Sequence, residues 1–425
     1  MFKPFRAIGY VTGDVQLASQ TRGTQVFLTS CIGTSFQVYN GSRLNLVMVG
    51  NTESHGKITS IQCNKDWTYC AVSSKIIVFN RQKIDFIMEC PDSFIANMLI
   101  IGDFLIALTD SSVLVYDLES KKIVNQLPLA SDFKPTAIMH PATYINKIVV
   151  GSSNGDLQLW NFQSLKLVYA FQTYNSEITC VIQSPSLDVA AIGLANGTIV
   201  IHNLKTNVEI QRYRQEKRVT GISFRSDNPM MASSSDAGDV AIWDLEERRL
   251  LSVLNAHDGS IHSCEFYNGT PVLMTAGCDN ALKLWAFDGG ESNLPRLLKS
   301  KSGHHLPPNS VKYYGEDGHM MISSGLDQSL RVFSVIKDEQ NREISQGHLE
   351  KKAKQYKVQI DQLKFPQIVH FDASNIFLIQ IQQNKRIGTI SSPAISMTKS
   401  QGPGVSNARQ SDLTNLNPKT IHQLR

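Results

Sequence analysis

A few residue groups in this sequence have the types and spacing from which chemistry is commonly built. Adjacent His304 and His305 could hold a metal. Neighbours on a strand project to opposite faces, so the pair reads instead as one structural and one surface histidine. Cys63 and Cys70 have the wrong separation for a zinc knuckle, and no C-x-x-C occurs. Asp227, Asp236, Asp239 and Asp244 are close in sequence, but each falls at a turn or strand end, where aspartate satisfies backbone amides. Arg212, Arg214, Lys217 and Arg218, with Tyr213 interleaved, could meet RNA phosphates or an acidic partner. So could Lys351, Lys352, Lys354, Lys357 and Lys364. Either run could instead be solvated surface, the reading favoured for Arg212–Arg218. No phosphate-cradling GxxxxGK[ST], no GxGxxG after a strand and no HExxH is present. The reading is therefore of no enzyme, no catalytic residues, no cofactor, no metal and no small-molecule substrate.

The elements that must position these residues are repeated. A turn, an alternating apolar segment and an aromatic or imidazole ring recur at Tyr39, Phe79, Tyr116, Trp160, His202, Trp243, Trp285 and Phe333, at spacings of 40, 37, 44, 42, 41, 42 and 48 residues. Period-2 alternation makes each segment a strand. A second strand precedes it across a turn that often carries Asp or Asn six residues before the ring (Asp110, Asn154, Asn196, Asp279, Asp327). Asn154-Gly155 and Asn196-Gly197 are strong hairpin signals. A third strand lies upstream and a fourth follows the ring. Four antiparallel strands at this period predict an all-β propeller, whose closure leaves few sheet edges open to aggregation.

Eight strand sets allow an eight-bladed ring or a seven-bladed one. The favoured division is residues 1–41 as N-terminal strands that could belong to a second ring, and 42–336 as a seven-bladed propeller. Beyond it come a lysine-rich linker with some helix (337–365), a short apolar segment (366–390) and a disordered tail (391–425).

Composition agrees with a sheet-rich globular body: 42% of the 425 residues are hydrophobic and 18% charged. Net charge is +4, but residues 337–425 carry 13 Lys+Arg against 7 Asp+Glu, leaving a near-neutral body and a basic tail. That excludes a body gripping nucleic acid over its whole surface. No run approaches the ~18 apolar residues of a membrane span, and no membrane partner is expected. The N-terminus lacks a secretory signal and the seven cysteines are scattered, which predicts a reducing intracellular compartment with cysteines as buried hydrophobes.

The repeats resemble the WD-repeat family, with Trp243-Asp244 as the literal pair. The resemblance implies one buried network of His, Ser/Thr, Asp and Trp per blade. His257, Thr275, Asp279 and Trp285 match it fully. His304, Ser323 and Asp327 match it with Phe333 in place of Trp, and Trp243 and Trp160 hold the ring position elsewhere.

A more specific resemblance runs from about Phe5 to Asn375, on FRAIGYV, CIGTSFQVYN, HPATYINKIVVGS, LQLWNFQSLKLVYAF, VAAIGLANGTIVIHN, VTGISFRSD and GCDNALKLWAFDGG. These segments are similar to the N-terminal propeller of the tandem-propeller WD-repeat proteins of the U-three small nucleolar ribonucleoprotein, in the UTP-B subcomplex of the small-subunit processome. The resemblance implies a non-enzymatic nucleolar, hence nuclear, scaffold in pre-ribosomal RNA processing and small-subunit biogenesis. The other UTP-B subunits would be its partners, with pre-ribosomal or small nucleolar RNA as a further contact. The family's second propeller and helical C-terminal domain are missing from this sequence, and after His370–Asn375 it departs from the family pattern. The alternative is a peptide-recognition propeller serving as substrate receptor in a ubiquitin-ligase or chromatin complex. It needs aromatic and charged residues at a channel mouth.

Overall fold

The middle strands of each repeat read as nearly continuous apolar runs, and they are buried on both faces. Val189–Leu194 is buried at every position, and Thr198–Asn203 at all but the last. The strand that follows each ring residue alternates or is polar, and lies outermost; Lys166–Ala170 is exposed throughout. Burial therefore ranks the strands of a repeat as the hydrophobic pattern does.

The computed structural model describes residues 8–337, except 53–54, 66, 92–93, 268, 288–293, 315–318 and 328. It also describes strand residues 342–344, 367–371, 375–379, 381–382, 385–386 and 390–393. Among them there is no α-helix, and none long and apolar enough to cross a membrane.

The chain forms two units, 1–302 and 303–425. The first holds seven four-stranded antiparallel sheets in sequential order. These are blade 1 (18–51), blade 2 (58–89), blade 3 (95–126), blade 4 (135–170), blade 5 (178–214), blade 6 (219–255) and blade 7 (261–302). In all seven, the pairing of third and fourth strands shifts register immediately before the ring residue, as between Leu284 and Trp285 or Ile242 and Trp243. A bulge at that point re-aims the ring.

One hydrophobic cluster fills each joint between successive blades. Phe36 of blade 1 meets Phe79 of blade 2 edge-to-face at 5.0 Å, and six such clusters run from blade 1 to blade 7. The seventh cluster closes the circuit: Val11, Leu17, Leu28, Tyr39 and Leu44 pack with Tyr267, Met274, Ala276, Leu282 and Leu284 of blade 7. The ring is thus complete within residues 8–302.

This ring has seven blades, as favoured from sequence, but its membership differs. The expected boundary at 41/42 cuts between Ser35–Asn40 and Leu46–Asn51, which pair within blade 1. The first strand set is in the ring because its apolar side chains cover blade 7. Asn280 Oδ1 accepts from Val11 N (2.7 Å) and Thr12 N (2.9 Å), and Asn280 Nδ2 donates to the Gly9 carbonyl (3.0 Å). Leu17 N donates to Ser263 Oγ at 2.7 Å.

In the second unit the eighth strand set makes its own sheet from Pro308–Tyr314, Met320–Gly325, Leu330–Ser334 and Arg342–Ile344. The last of these lies inside the segment expected as linker. Gln367–Phe371, Asn375–Ile379 and Ile390–Pro393 form a three-stranded sheet, so pairing reaches into the segment expected as tail. The rest of 345–366 and all of 394–425 lie outside the described residues.

Candidate functional site

The WD-type network begins with backbone placement. Gly238 holds φ +95°, and a Cβ there would sit 2.0 Å from the His257 carbonyl oxygen; a Cβ on Gly277 would sit 2.6 Å from the His257 ring. Glycine at both positions lets His257 enter blade 7 fully enclosed. Trp285 Nε1 donates to Thr275 Oγ1 at 3.0 Å, and Thr275 Oγ1 lies 2.8 Å from His257 Nε2. His257 Nδ1 lies 2.8 Å from Asp279 Oδ1. One consistent proton arrangement runs from indole to hydroxyl to imidazole to carboxylate. Burial alone would raise the Asp279 carboxyl; the hydrogen bond and charge of His257 outweigh it and hold the carboxyl below its usual value. His257 has no solvent access, so the arrangement holds the blade together and offers no reactive group.

The eighth strand set repeats the pattern. His304 Nε2 meets Ser323 Oγ at 2.6 Å, Nδ1 lies 3.1 Å from Asp327, and Phe333 packs on the ring at 6.4 Å.

Blade 6 solves the same problem with different residues. Trp243 Nε1 donates to Ser233 Oγ at 2.9 Å, and Ser233 Oγ donates to Gln215 Oε1 at 2.7 Å. The separations of 10 and 18 residues equal those in blade 7, so Gln215 stands where His257 does. In blade 5 Tyr174 and His202, 28 residues apart, meet at 3.3 Å. Burial pushes Tyr174 up to about 12 and lowers His202. Trp160 has no hydroxyl partner. Its indole donates to Gln158 at 2.8 Å and its ring fills the joint between blades 3 and 4.

The residue after the ring is a cap that the sequence reading passed over. Asp244 Oδ1 accepts from the amides of Glu246 and Glu247, both at 2.9 Å. Asn40, Asp117, Asn161 and Asn203 do the same for the two amides at equivalent positions. Each then supports a left-handed residue: Leu44, Lys121, Leu165, Asn207 or Arg248. Asp or Asn directly after the ring at six of the eight ring positions, Asn80 being the sixth, was the available signal.

The first basic run is partly neutralised. Arg218 makes a two-pronged pair with Glu177 (2.9 and 2.8 Å), and Arg212 one with Glu209 (2.9 and 2.8 Å). Arg214 and Lys217 are exposed without an ion pair among the described residues. Tyr213 is not an interleaved surface aromatic. Strand alternation turns it inward onto Trp243, at 5.1 Å between ring centroids. Lys351, Lys352, Lys354, Lys357 and Lys364 lie outside the described residues. The cysteines are free thiols, with Cys31, Cys63 and Cys70 packed in the joint of blades 1 and 2, and burial pushes Cys180 up to about 11 and Cys264 up to about 12. No group of three His, Cys, Asp or Glu among the described residues could hold a metal.

A closed ring of four-stranded blades carrying this network is a WD-repeat β-propeller. Comparison with known proteins narrows the class. Residues 28–288 match the family described as the WDR36/Utp21 first beta-propeller, and the chain belongs to that family.

Three curated relatives are similar to it over most of its length. U3 small nucleolar RNA-associated protein 21 homolog of Schizosaccharomyces pombe is 40% identical over 387 residues, 88% of this chain and 42% of that protein. WD repeat-containing protein 36 of Homo sapiens is 35% identical over 362 residues (83% and 40%). U3 small nucleolar RNA-associated protein 21 of Saccharomyces cerevisiae is 31% identical over 405 residues (88% and 42%). The chain thus spans about two fifths of the length of these relatives.

Two solved structures share the fold. A chain of the mitotic checkpoint complex has a TM-score of 0.59 at 14% identity, covering 67% of this chain and 91% of its own. The computationally designed Ika8 protein has a TM-score of 0.55 at 16% identity, covering 77% and 98%.

Proposed function

We propose that this chain is a non-enzymatic scaffold of the small-subunit processome. In this reading it acts in pre-ribosomal RNA processing and small-subunit biogenesis, in the nucleolus, through contacts with the other UTP-B subunits. The observation that carries the reading is 40% identity over 88% of the chain to a protein named for association with U3 small nucleolar RNA. The molecule suits the role. Its polar networks are buried staples, and its capped turns present a fixed surface at one end of the ring. Of the basic run, Arg214 and Lys217 are the residues left to meet an anionic partner.

Depletion of the gene product tests the reading. Small-subunit ribosomal RNA should fall while large-subunit RNA stays near normal. Equal loss of both would contradict it.

A further inference from the structure

A polar cleft of about 360 Å³ opens between blades 1 and 2, lined by Gln20, Thr21, Arg22, Cys63, Asn64 and Lys65. It lies where the first strands of these blades, Ala18–Arg22 and Ile58–Asn64, end. The Arg22 guanidinium donates to the Lys65 carbonyl and lies over the Phe27 ring at 5.7 Å. With its amide oriented by the same network, Gln20 donates to that carbonyl and accepts from Arg22, both at 3.0 Å. The turn is therefore tied to blade 1 through its backbone. The Lys65 ammonium, exposed, has no ion pair among the described residues.

Strands alternate direction, so the turns after the first and third strands of a blade share one end of the ring. That end also carries exposed Arg43, Arg81 and Lys83, at the turns into the outer strands of the same two blades. It is opposite the end carrying Arg214 and Lys217.

We propose that this end of blades 1 and 2 binds single-stranded RNA by its phosphates, with the cleft between Arg22 and Lys65 taking one phosphate and its nucleotide. The choice of RNA rests on the processome reading; the site itself does not. A single acid would need one pocket. Five cationic side chains spread over four turns suit a polyanion whose charge repeats along its length. Arg22 over Phe27 is a flat surface on which a base can stack.

Fluorescence anisotropy of the 425-residue chain with a labelled single-stranded RNA of about twelve nucleotides tests this. Arg43→Glu with Lys65→Glu, both at exposed side chains, should weaken binding at least tenfold. It should also flatten log K against log salt by about 0.7 per lost phosphate contact. Lys166→Glu on the outer strand of blade 4 should leave it unchanged. Unaltered affinity and salt slope in the double variant would overturn the proposal. So would a polyglutamate peptide that displaces the RNA at lower concentration than unlabelled RNA, since the site would then prefer acidic protein. Either failure leaves the processome reading standing, because that is tested by RNA levels in cells.

Discussion

His257 shows how much one enclosed side chain can set in a blade. It joins Trp285 and Thr275 on one side to Asp279 on the other, so truncation takes a partner from two polar groups, Thr275 and Asp279. Leaving a buried donor or acceptor unmet costs about 1–3 kcal/mol, so His257→Ala should destabilise by about 2–3 kcal/mol in urea denaturation, and Trp285→Phe by less.

Asp279 sets a sign. Its folded pKa lies below the usual 3.8, so its stabilisation is present in full above that value and is lost as pH falls through the folded value. The stability of Asp279→Asn should therefore fall less than that of the parent on acidification below about pH 4. Equal acid sensitivity of the two would show that the carboxylate is not held by His257. At the basic run, Arg218→Glu should lower stability by breaking its pair with Glu177. Arg214→Glu with Lys217→Glu should leave stability alone and weaken salt-sensitive association with the assembly. Denaturation midpoints and co-purification across a salt series separate the two.

At the scale of elements, the joint between blades 1 and 7 differs from the others. Both blades are built from consecutive strands, so no strand is shared across it. Side chains of blade 7 bind the backbone of residues 9–17, which precede the first strand. Asn280→Ala removes the bonds to Val11, Thr12 and Gly9 together. Amide exchange should then rise first in residues 9–17 and Ile261–Phe266, while the joint of blades 4 and 5 keeps its protection. Uniform loss would contradict a seam that opens locally.

His262 lies in the same joint, 3.1 Å from Thr12. Burial, and then the charge of His257, lower it to about 4, against Asp14 and Asp279, which pull it up. A histidine kept neutral on folding contributes stability above about pH 6.5 that is lost on the way down to about pH 4. His262→Gln should flatten stability across that window.

The repeat period, the ring positions and the buried strands were legible in the sequence, because period-2 burial is written locally. Membership of the ring was not. Val11–Leu17 shows no strand pattern, and its partners Asn280 and Ser263 are remote in sequence and ordinary in type. Gln215 and Tyr174 were hidden for a related reason: they fill histidine's position with other chemistry, visible only through the fixed separation from the ring residue.

At the scale of the whole molecule, seven joints each filled by a hydrophobic cluster make a closed ring that offers two ends and a rim. Buried polar networks fix the blades, and exposed turns remain for partners. Such a division of labour suits a protein that holds others in place. The most direct test is affinity purification of the 425-residue chain from nuclear extract, treated with ribonuclease, with the bound proteins identified by mass spectrometry. The scaffold account predicts that other UTP-B subunits remain bound after the RNA is destroyed. A folded chain that retains none of them would contradict it.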